Sequence, residues 1–402
     1  MGTEMRTNHT VVIVGAGMSG LLLAKLLSDA QFQVRMIEKK QPKFNIDDDT
    51  ISGRVSALNA NIVEYLKKIR VWQQCRASRF STLSKMRVWD HCGGGEVEFD
   101  SASVAKPYLA CVVENKELIR SLWQLLQDTP NVQIEVQQEV VSIDVRANET
   151  SIETSTGKVD ARLVVGADGA LSTMRRHLPL FCRVTPYQQT ALVAAVESEY
   201  PHYNVALQSF LSTGPLGVLP LANPHHESFV FSCENSYAHK LLSMDRTEFN
   251  RELESALQSR YGKLQLLNPL QSFPLVERYM SQPYHESVVL IGDAAQTIHP
   301  LAGQGANSGL QDAIWLAHTL IQSRRHFFSE ESVEPLLAAY WRRRQCEHVF
   351  LRQTMKAFSQ LYAGDASYKV RLRSGALVWC NRLQLLKNEI MKMMMRLGGL
   401  PV

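Results

Sequence analysis

The sequence lacks the cysteine and histidine patterns that hold metal ions. Its seven cysteines are scattered without a C-x-x-C pair, and its twelve histidines include no H-E-x-x-H. Because zinc sites use such short spacings, we predict no metal site. An odd number of cysteines in a chain of 402 residues favours a reducing compartment, so we expect a cytoplasmic protein.

Long apolar runs and dense basic tracts are missing as well. No uninterrupted apolar run reaches the roughly 18 residues that a membrane-spanning helix needs. The apolar stretch that begins at Val11 is interrupted by three glycines and Lys25, so we interpret it as a buried strand and helix rather than a signal peptide. A net charge of +4 is too small to indicate nucleic acid as a partner.

The segment VVIVGAGMSGLLLAKLLSDAQFQVRMIEKK has the pattern of a dinucleotide-binding unit. A short apolar strand is followed by Gly15, Gly17 and Gly20, then by a helix and a second strand that ends at Glu38. The first glycine permits a tight turn, the second lets a pyrophosphate approach the backbone, and the third lets the helix pack on the sheet. Glu38 can accept hydrogen bonds from a ribose and repels a 2′-phosphate. The segment therefore predicts FAD or NAD rather than NADP.

Two later segments repeat the strand followed by a glycine turn. ARLVVGADGALSTMRRHL contains Asp168, and ESVVLIGDAAQ contains Asp293. An acid at the carboxyl end of a parallel strand lies where ligands bind in such sheets. The glycines of the following HPLAGQGANSG expose backbone N–H groups at the start of a helix. Arg54 follows a Gly/Ser turn and can reach the pyrophosphate or the flavin side of a dinucleotide; a solvated surface arginine is the alternative.

Together these segments resemble the FAD-dependent aromatic hydroxylases, the group A flavoprotein monooxygenases. RVSALNA, VWD, VVEN, FPLVERY and IHPLAGQG are similar to the ubiquinone-biosynthesis hydroxylase branch, and the similarity spans about residues 10–400. The resemblance implies an α/β protein of the p-hydroxybenzoate hydroxylase fold. It would consist of a Rossmann-like FAD-binding domain, an inserted β-sheet substrate domain and a helical C-terminal region.

The order of strand-like and helical patterns predicts how these units divide the chain. We expect a discontinuous FAD-binding domain at 1–80, 106–180 and 281–330. The substrate-domain sheet would take 81–105 and 181–280, and the C-terminal helical region 331–402. Within the last region, the run from Arg342 to Arg344 is typical of a solvated face.

The resemblance also implies which residues bind FAD. The ADP half would contact the first three glycines, Glu38 and Lys39, while Asp168 belongs to a turn linked to both FAD and NAD(P)H. Asp293 would bind the ribityl chain. The isoalloxazine ring would lie against Pro300, Gly303, Gln304, Gly305, Ala306 and Asn307.

Two positions depart from the family pattern. Gln296 replaces the usual histidine after GDAA, so we assign no acid or base there, and no catalytic residue is identified elsewhere. Lys116 occupies the position nearest to an arginine that contacts FAD in the family, and Arg120 is the obvious substitute.

The activity that the resemblance implies is hydroxylation of the aromatic ring of a polyprenylated phenol in ubiquinone biosynthesis. NAD(P)H would be the reductant and O2 the oxidant, through a C4a-hydroperoxyflavin. A hydroxylase of a small soluble phenol, a reductase or halogenase of the same fold, and a non-catalytic lipid-binding protein are the alternatives. Phe210, Leu219 and Pro220 are candidates for the lining of the substrate pocket, although ordinary sheet core explains each of them too.

The C-terminal tail has one apolar stripe. It consists of Leu383, Leu386, Ile390, Met393, Met394 and Leu397. Packing against the FAD-binding domain is one interpretation of this stripe. Contact with a membrane surface or with another ubiquinone-biosynthesis protein is the other, and it would place the protein peripherally at the inner membrane.

Overall fold

A mostly parallel sheet is formed by the buried apolar strands that the sequence predicts. The computed structural model describes residues 9–42, 44, 50–299, 303–362, 367–396 and 399–401. The strands of this sheet are β1 (Thr10–Val14), β2 (Gln33–Glu38), β8 (Val132–Val136), β12 (Leu163–Gly166), β19 (Tyr284–His285) and β20 (Val288–Leu290). Their order is β19-β20-β12-β1-β2-β8, and only β19 runs antiparallel to its neighbour.

Helices cover one face of this sheet and a small antiparallel sheet covers the other. Val11 and Ile13 face the helices, whereas Val12 and Val14 face the small sheet, because successive side chains of a strand point to opposite sides. The main helices are α1 (Met18–Asp29), α3 (Asn115–Gln127) and α7 (Gln304–Gln322). The small sheet consists of β9 (Val140–Val145), β10 (Thr150–Thr154) and β11 (Gly157–Ala161).

A second, antiparallel-rich sheet forms the inserted unit. Its strands are β5 (Lys85–Asp90), β6 (Glu96–Asp100), β13 (Arg183–Ser198), β14 (Val205–Leu211), β15 (Gly214–Pro220), β16 (His226–Glu234), β17 (Leu264–Leu266), β18 (Gln271–Tyr279) and β21 (Gln296–Thr297). The hairpin β5–β6 joins the sheet by parallel pairing of β5 with β14. One face packs on α5 (Asn235–Ser243) and α6 (Arg246–Ala256) through an apolar cluster that includes Phe229, Phe231 and Phe249. We call this sheet the substrate sheet.

The other face of the substrate sheet meets the unit of the parallel sheet through a second small sheet. This second small sheet contains β3 (Val55–Asn59), β4 (Phe80–Leu83) and β7 (Ala110–Glu114), and α2 (Ala60–Lys68) follows β3 in the chain. A Cβ atom built on Gly53 would lie 2.8 Å from the backbone of Ala194, and the hydroxyl of Ser228 donates to the carbonyl of Gly53 at 2.7 Å. The absence of a side chain at Gly53 thus lets the two units approach closely.

The other helices fall into two groups along the chain. The short helix α4 (Met174–His177) follows β12, and α7 is followed by α8 (Arg324–Phe327), α9 (Glu334–Tyr362), α10 (Ser367–Arg382) and α11 (Gln384–Arg396). The prediction that Arg342 to Arg344 form a solvated face is wrong for Arg344, which is completely buried between α9 and α7, where Asp312 compensates its charge. In the part of the chain that the structure describes, no helix is both long and apolar enough to cross a bilayer.

Candidate cofactor site

The turn between β1 and α1 contains the three glycines of the first predicted motif. Gly15 has φ +106°, and a Cβ atom there would lie 2.5 Å from the carbonyl oxygen of Ala167. A Cβ atom on Gly20 would lie 2.1 Å from the carbonyl oxygen of Gly15. These two glycines are therefore required by the packing of the protein itself.

Gly17 differs from the other two glycines because no protein atom lies within 4 Å of a Cβ atom built on it. It is the N-cap residue of α1, and neither a side-chain cap nor an acidic residue occupies the first turn of that helix. The backbone N–H groups at the start of this helix therefore point into open space, and together with the helix dipole they give that space a positive electrostatic potential. This is the arrangement that a pyrophosphate needs, so the residues present fit the diphosphate of FAD.

Glu38 lies at the carboxyl end of β2, beside the same turn. Its carboxylate accepts hydrogen bonds from the amide of Ala16 at 2.7 Å and from the amide of Lys40 at 2.9 Å. These bonds fix the side chain and leave lone pairs for ribose hydroxyls. The side chain of Lys39 forms an ion pair with Glu139 at 2.5 Å on the rim.

A cavity of about 780 Å³ joins the glycine turn after β1, the first glycine turn, to the turn after β12 that contains Asp168, the second glycine turn. Its volume lies in the range of cofactor pockets. Five residues predicted to bind FAD line it together: Gly15, Gly17, Glu38, Lys39 and Asp168.

Within this cavity, the carboxylate of Asp168 is occupied by its own turn. It accepts from the hydroxyl of Ser172 at 2.5 Å and from the amides of Thr173 at 2.6 Å and Met174 at 3.1 Å. Asp168 therefore shapes the turn before α4, and its direct contact with FAD or NAD(P)H stays a prediction.

Arg175 connects the second and third glycine turns, which the sequence did not indicate. Its guanidinium donates to the carbonyl of Ala294 at 2.9 Å and to the carbonyl of Ala170 at 2.7 Å. Burial lowers the pKa of Arg175 from its ordinary value. Two backbone carbonyls 124 positions apart are thus held by one side chain, which fixes the distance between the two turns.

Asp293 lies in the third turn, directly after β20. Asp293 is exposed, and one of its carboxylate oxygens lies 4.0 Å from a Cβ atom built on Gly305. Although part of its surface is accessible, the protein groups packed around Asp293 displace much of its surrounding solvent, and this raises its pKa; the negative charge of Asp312 adds to the shift, and the charges of Arg54 and Arg278 oppose it. The start of α7 thus lies beside Asp293, and the charge of Arg54 acts on this carboxylate. That Asp293 and Arg54 bind FAD stays a prediction.

The N-terminus of α7 is organised by Gly303 and Asn307. Gly303 adopts φ +61° as the N-cap residue. The side chain of Asn307 is buried and bonds to both the amide of Asn59 and the carbonyl of Ala57 at 2.9 Å. It anchors α7 to β3, so the groups left for a flavin are the backbone amides near Gly305. Gln304 is buried and Ala306 follows Gly305 in the first turn, whereas Pro300 lies outside the described residues.

A fully buried cluster behind the third turn was also missed by the sequence analysis. Asp312 accepts from the amide of Gly292 at 3.0 Å, from Nε of Arg344 at 2.7 Å and from Nε2 of His348 at 2.8 Å. The other imidazole nitrogen of His348 contacts Oε1 of Gln296 at 2.7 Å. Burial alone raises the pKa of Asp312, but the charges of His348 and Arg344 outweigh it and hold this pKa well below its usual range. Gln296, at the position where the family has histidine, thus adjoins an imidazole from α9.

Lys116 and Arg120 lie one turn apart on α3 but contact different partners. Lys116 donates to the carbonyl of Thr50, near the segment that leads to Arg54. Arg120 pairs with Glu117 at 2.6 Å and lines a different cavity beside Trp123. The structure does not bring Arg120 to the cavity of the glycine turns.

The three predicted substrate residues are not brought together either. Phe210 packs with Val88 beneath the C-terminal helices, and Leu219 packs against the small sheet of β3, β4 and β7, beside Val112. Pro220 points to the opposite side of β15 from Leu219 and accepts a hydrogen bond from Ser81 at its carbonyl. Among the described residues, no group of three His, Cys, Asp or Glu side chains forms a metal site.

The chain belongs to a family of FAD-binding proteins: the family model described as "FAD binding domain" matches residues 8–350. It is 30% identical over 385 residues to the 3-demethoxyubiquinol 3-hydroxylase of Escherichia coli, covering 95% of this chain and 97% of that protein. It is 28% identical to the Drosophila melanogaster ubiquinone biosynthesis monooxygenase COQ6, covering 96% and 90%.

A solved structure shows the same fold. The p-nitrophenol 4-monooxygenase PnpA from Pseudomonas putida superimposes with a TM-score of 0.79 at 20% identity, covering 98% of this chain and 100% of that one. These matches confirm the predicted fold class, the resemblance to FAD-dependent hydroxylases of ubiquinone biosynthesis, and FAD as the cofactor. The predicted domain bounds stay a prediction.

Proposed function

We propose that this protein is an FAD-dependent monooxygenase that hydroxylates the aromatic ring of a polyprenylated phenol in ubiquinone biosynthesis, using NAD(P)H and O2. The observation that carries the proposal is the similarity over 95% of the chain to a 3-demethoxyubiquinol 3-hydroxylase. The open approach at Gly17 and the exposed Asp293 support it, because both ends of a long dinucleotide have a place to bind.

The chain's own groups would hold FAD at separate points. The amides at the start of α1 bind the diphosphate, and Glu38 accepts hydrogen bonds from a ribose. Asp293 accepts from the ribityl hydroxyls, in a turn whose position Arg175 and Asp312 set. The amides near Gly305, at the positive end of the α7 dipole, stabilise negative charge on the flavin. When bound, FAD supplies the hydride acceptance and the oxygen activation.

The ring of the substrate would lie between the start of α7 and the substrate sheet. Arg54 lies 5.1 Å above the ring of Phe273 on that side, and His299 contacts the side chain of Gln189 at 3.0 Å. Burial lowers the pKa of His299 to about 4, so this imidazole is neutral at physiological pH. These groups would orient the ring and exclude water. Because the imidazole of His299 is neutral, it adds no positive charge beside the ring. Leu219 remains our candidate for a contact with the apolar part of the substrate.

Two assays test the proposal. The purified protein is denatured and the released flavin is separated by chromatography; we expect FAD, and recovery of FMN would contradict the two separate binding points. The holoenzyme is then given a short-tailed prenylated phenol in detergent micelles with NAD(P)H and O2. We expect hydroxylated product, whereas efficient coupled turnover of only a small soluble phenol would favour a catabolic hydroxylase. A protein that binds the lipid but consumes no NAD(P)H would be a lipid-binding protein.

We also propose that the protein works in the cytoplasm at the surface of the inner membrane, with other ubiquinone-biosynthesis proteins as partners. Each buried CH₂ of a prenyl tail contributes about 0.8 kcal/mol to transfer out of water. A substrate with such a tail therefore stays in the bilayer, and an enzyme that reaches it must approach the membrane.

A further inference from the structure

The last two helices expose an apolar face. Leu372, Trp379 and Leu385 keep 63%, 64% and 84% of their surface exposed. Positions 372, 376, 379 and 383 are spaced by four, three and four residues, so they lie along one side of a helix. Exposed apolar residues that share one side of a helix are a candidate interaction site. The residues of this C-terminal apolar face are Leu372, Ala376, Trp379, Leu383, Leu385 and Leu386.

This face differs from the stripe that the sequence predicts. Leu383 and Leu386 belong to both, but Ile390 is half-buried and the neighbouring Met391 is buried. Leu397 and the side chains of Met393 and Met394 lie outside the described residues. The exposed apolar surface is therefore centred on α10 and on the start of α11.

The opposite side of α10 is fixed to the substrate sheet. Nε of Arg373 donates to Asp90 at 2.7 Å, and both side chains are buried. The amide of Gly95 donates to the hydroxyl of Ser374 at 3.2 Å. Phe210 packs against the same side of the helix. Because a buried ion pair holds one side of α10, the apolar residues on its other side have a fixed orientation relative to the substrate sheet.

The charge around this face is positive. Residues 367–396 contain seven basic residues and a single acid, Glu389, which pairs with Lys392. One of the seven, Arg373, is buried and neutralised by Asp90, so the other six supply the excess of positive charge. Arg371 and Arg382 are exposed and flank the apolar stripe on the same side, three helical turns apart. Neither forms an ion pair with any residue that the structure describes. An apolar stripe with unpaired arginines along its edge complements an apolar layer beneath negatively charged headgroups.

We infer that the C-terminal apolar face docks on an anionic lipid bilayer, with α10 in the plane of the headgroups. The leucines would enter the boundary of the acyl chains, Trp379 would lie at the interface, and Arg371 and Arg382 would contact lipid phosphates. The inference rests on the proposed function in one respect, which is that the bilayer contains the substrate. Since α10 is fixed to the substrate sheet, docking brings that sheet to the membrane.

Vesicle binding by the FAD-loaded protein tests the inference. Sedimentation is compared between vesicles of phosphatidylcholine and vesicles that also contain phosphatidylglycerol, and we expect binding to the second that weakens with salt. The double variant Arg371→Glu, Arg382→Glu should bind at least about thirty-fold more weakly than the parent, since each arginine near such a surface contributes about 1 kcal/mol. Trp379→Ser combined with Leu385→Ser should lose about tenfold or more. Tyr203→Ser, which removes a side chain 75% exposed in another region, is the matched control and should bind as the parent does.

Brominated lipids locate the contact. They should quench part of the parent's fluorescence, and Trp379→Phe should bind equally well but lose that part. Equal binding of all variants, or quenching that does not depend on Trp379, would overturn the inference. One further outcome would also overturn it. If the parent does not bind vesicles, yet cells that carry the arginine variants make less quinone, the face contacts a protein partner instead. The micelle assay separates the two proposals, because failure of the hydroxylase leaves vesicle binding intact, and failure of docking leaves turnover in micelles intact.

Discussion

Replacing Arg344 by methionine tests whether the buried Asp312 cluster supports the third glycine turn. The guanidinium is completely buried and donates to Asp312, to Gln311 at 3.1 Å and to the carbonyl of Ser308 at 3.3 Å. Arg344→Met keeps the length of the apolar stem but leaves the carboxylate of Asp312 with a reduced set of donors. The cost of that loss should appear both in unfolding and in FAD binding.

The magnitude follows from what remains around Asp312. Removing one partner of a buried ion pair typically costs about 3–5 kcal/mol. His348 and the amide of Gly292 still donate to the carboxylate, so we expect about 3 kcal/mol, the lower end of that range. Arg342→Met is the matched control: it changes the same residue type on the same helix at an exposed position, and should cost less than about 0.5 kcal/mol.

Urea unfolding followed by tryptophan fluorescence measures the difference. Trp341 lies 5.1 Å from the ring of His348, so the signal includes the cluster itself. If Arg344→Met unfolds at the same urea concentration as Arg342→Met, the argument is refuted. A double variant, Asp312→Leu with Arg344→Met, removes the whole pair and should recover part of the stability. It should still lose about 1–3 kcal/mol and bind FAD less tightly, because the amide of Gly292 then lacks its acceptor.

Three further variants concern FAD binding, each measured by flavin fluorescence titration. Gly17→Val should abolish binding while the thermal midpoint of the FAD-free protein stays close to that of the FAD-free parent, because no protein atom lies within 4 Å of the added Cβ atom; a fully loaded variant would contradict the diphosphate site. Asp293→Ala should weaken binding by about 1.5–3 kcal/mol, and parent-like affinity would mean that this carboxylate only shapes the turn. Arg175→Met should also weaken binding, by about 1–3 kcal/mol, since two carbonyls lose their donor; an unchanged dissociation constant would show that the turns hold their spacing without it.

The parts of the site that the sequence predicts are those encoded by local spacing. A buried strand, a glycine turn and a helix follow one another within a few residues, so Gly17 and Glu38 could be placed without knowing the rest of the fold. Asp293 was predictable for the same reason, because ligands bind at the carboxyl ends of parallel strands. The exposed stripe was only partly predictable: periodicity shows which residues share a helix side, but not which side another unit covers.

The parts that could not be predicted depend on partners far apart in the chain. Arg175 bonds to a carbonyl 119 positions away, and Arg344 meets an acid 32 positions away on another helix. Arg344 stands in a run of three arginines that looks solvated, and no local pattern distinguishes it from its exposed neighbours. Phe210 follows the alternation of a sheet core equally well whether a substrate or α10 covers it. Tertiary packing decides such cases, and spacing along the sequence does not contain it.

Glu227 offers a test of how burial in the substrate sheet changes stability with pH. Its side chain has no exposed surface, and Oε1 accepts from the hydroxyl of Ser198 at 2.8 Å. Burial raises the pKa of Glu227 to about 8, with Ser198 opposing the shift, and the nearby Tyr261 is buried and neutral. Between the unfolded pKa of 4.5 and about 8, the folded state therefore holds a proton that the unfolded state has released.

Stability contributed by this proton is complete below pH 4.5 and is lost as the pH rises towards about 8. Each pH unit in this window removes about 1.4 kcal/mol. Glu227→Gln keeps an acceptor for Ser198 and cannot ionise, so its advantage over the parent should grow by about 2–3 kcal/mol over two pH units within the window. Urea unfolding of both proteins near the two ends of such an interval, for example at mildly acidic and mildly alkaline pH, gives this difference directly. Every other titrating group is shared by the two proteins, so only Glu227 can change the difference between their free energies of unfolding with pH. A difference that does not change with pH would mean that Glu227 is ionised in the folded protein, because water or a rearranged donor reaches it.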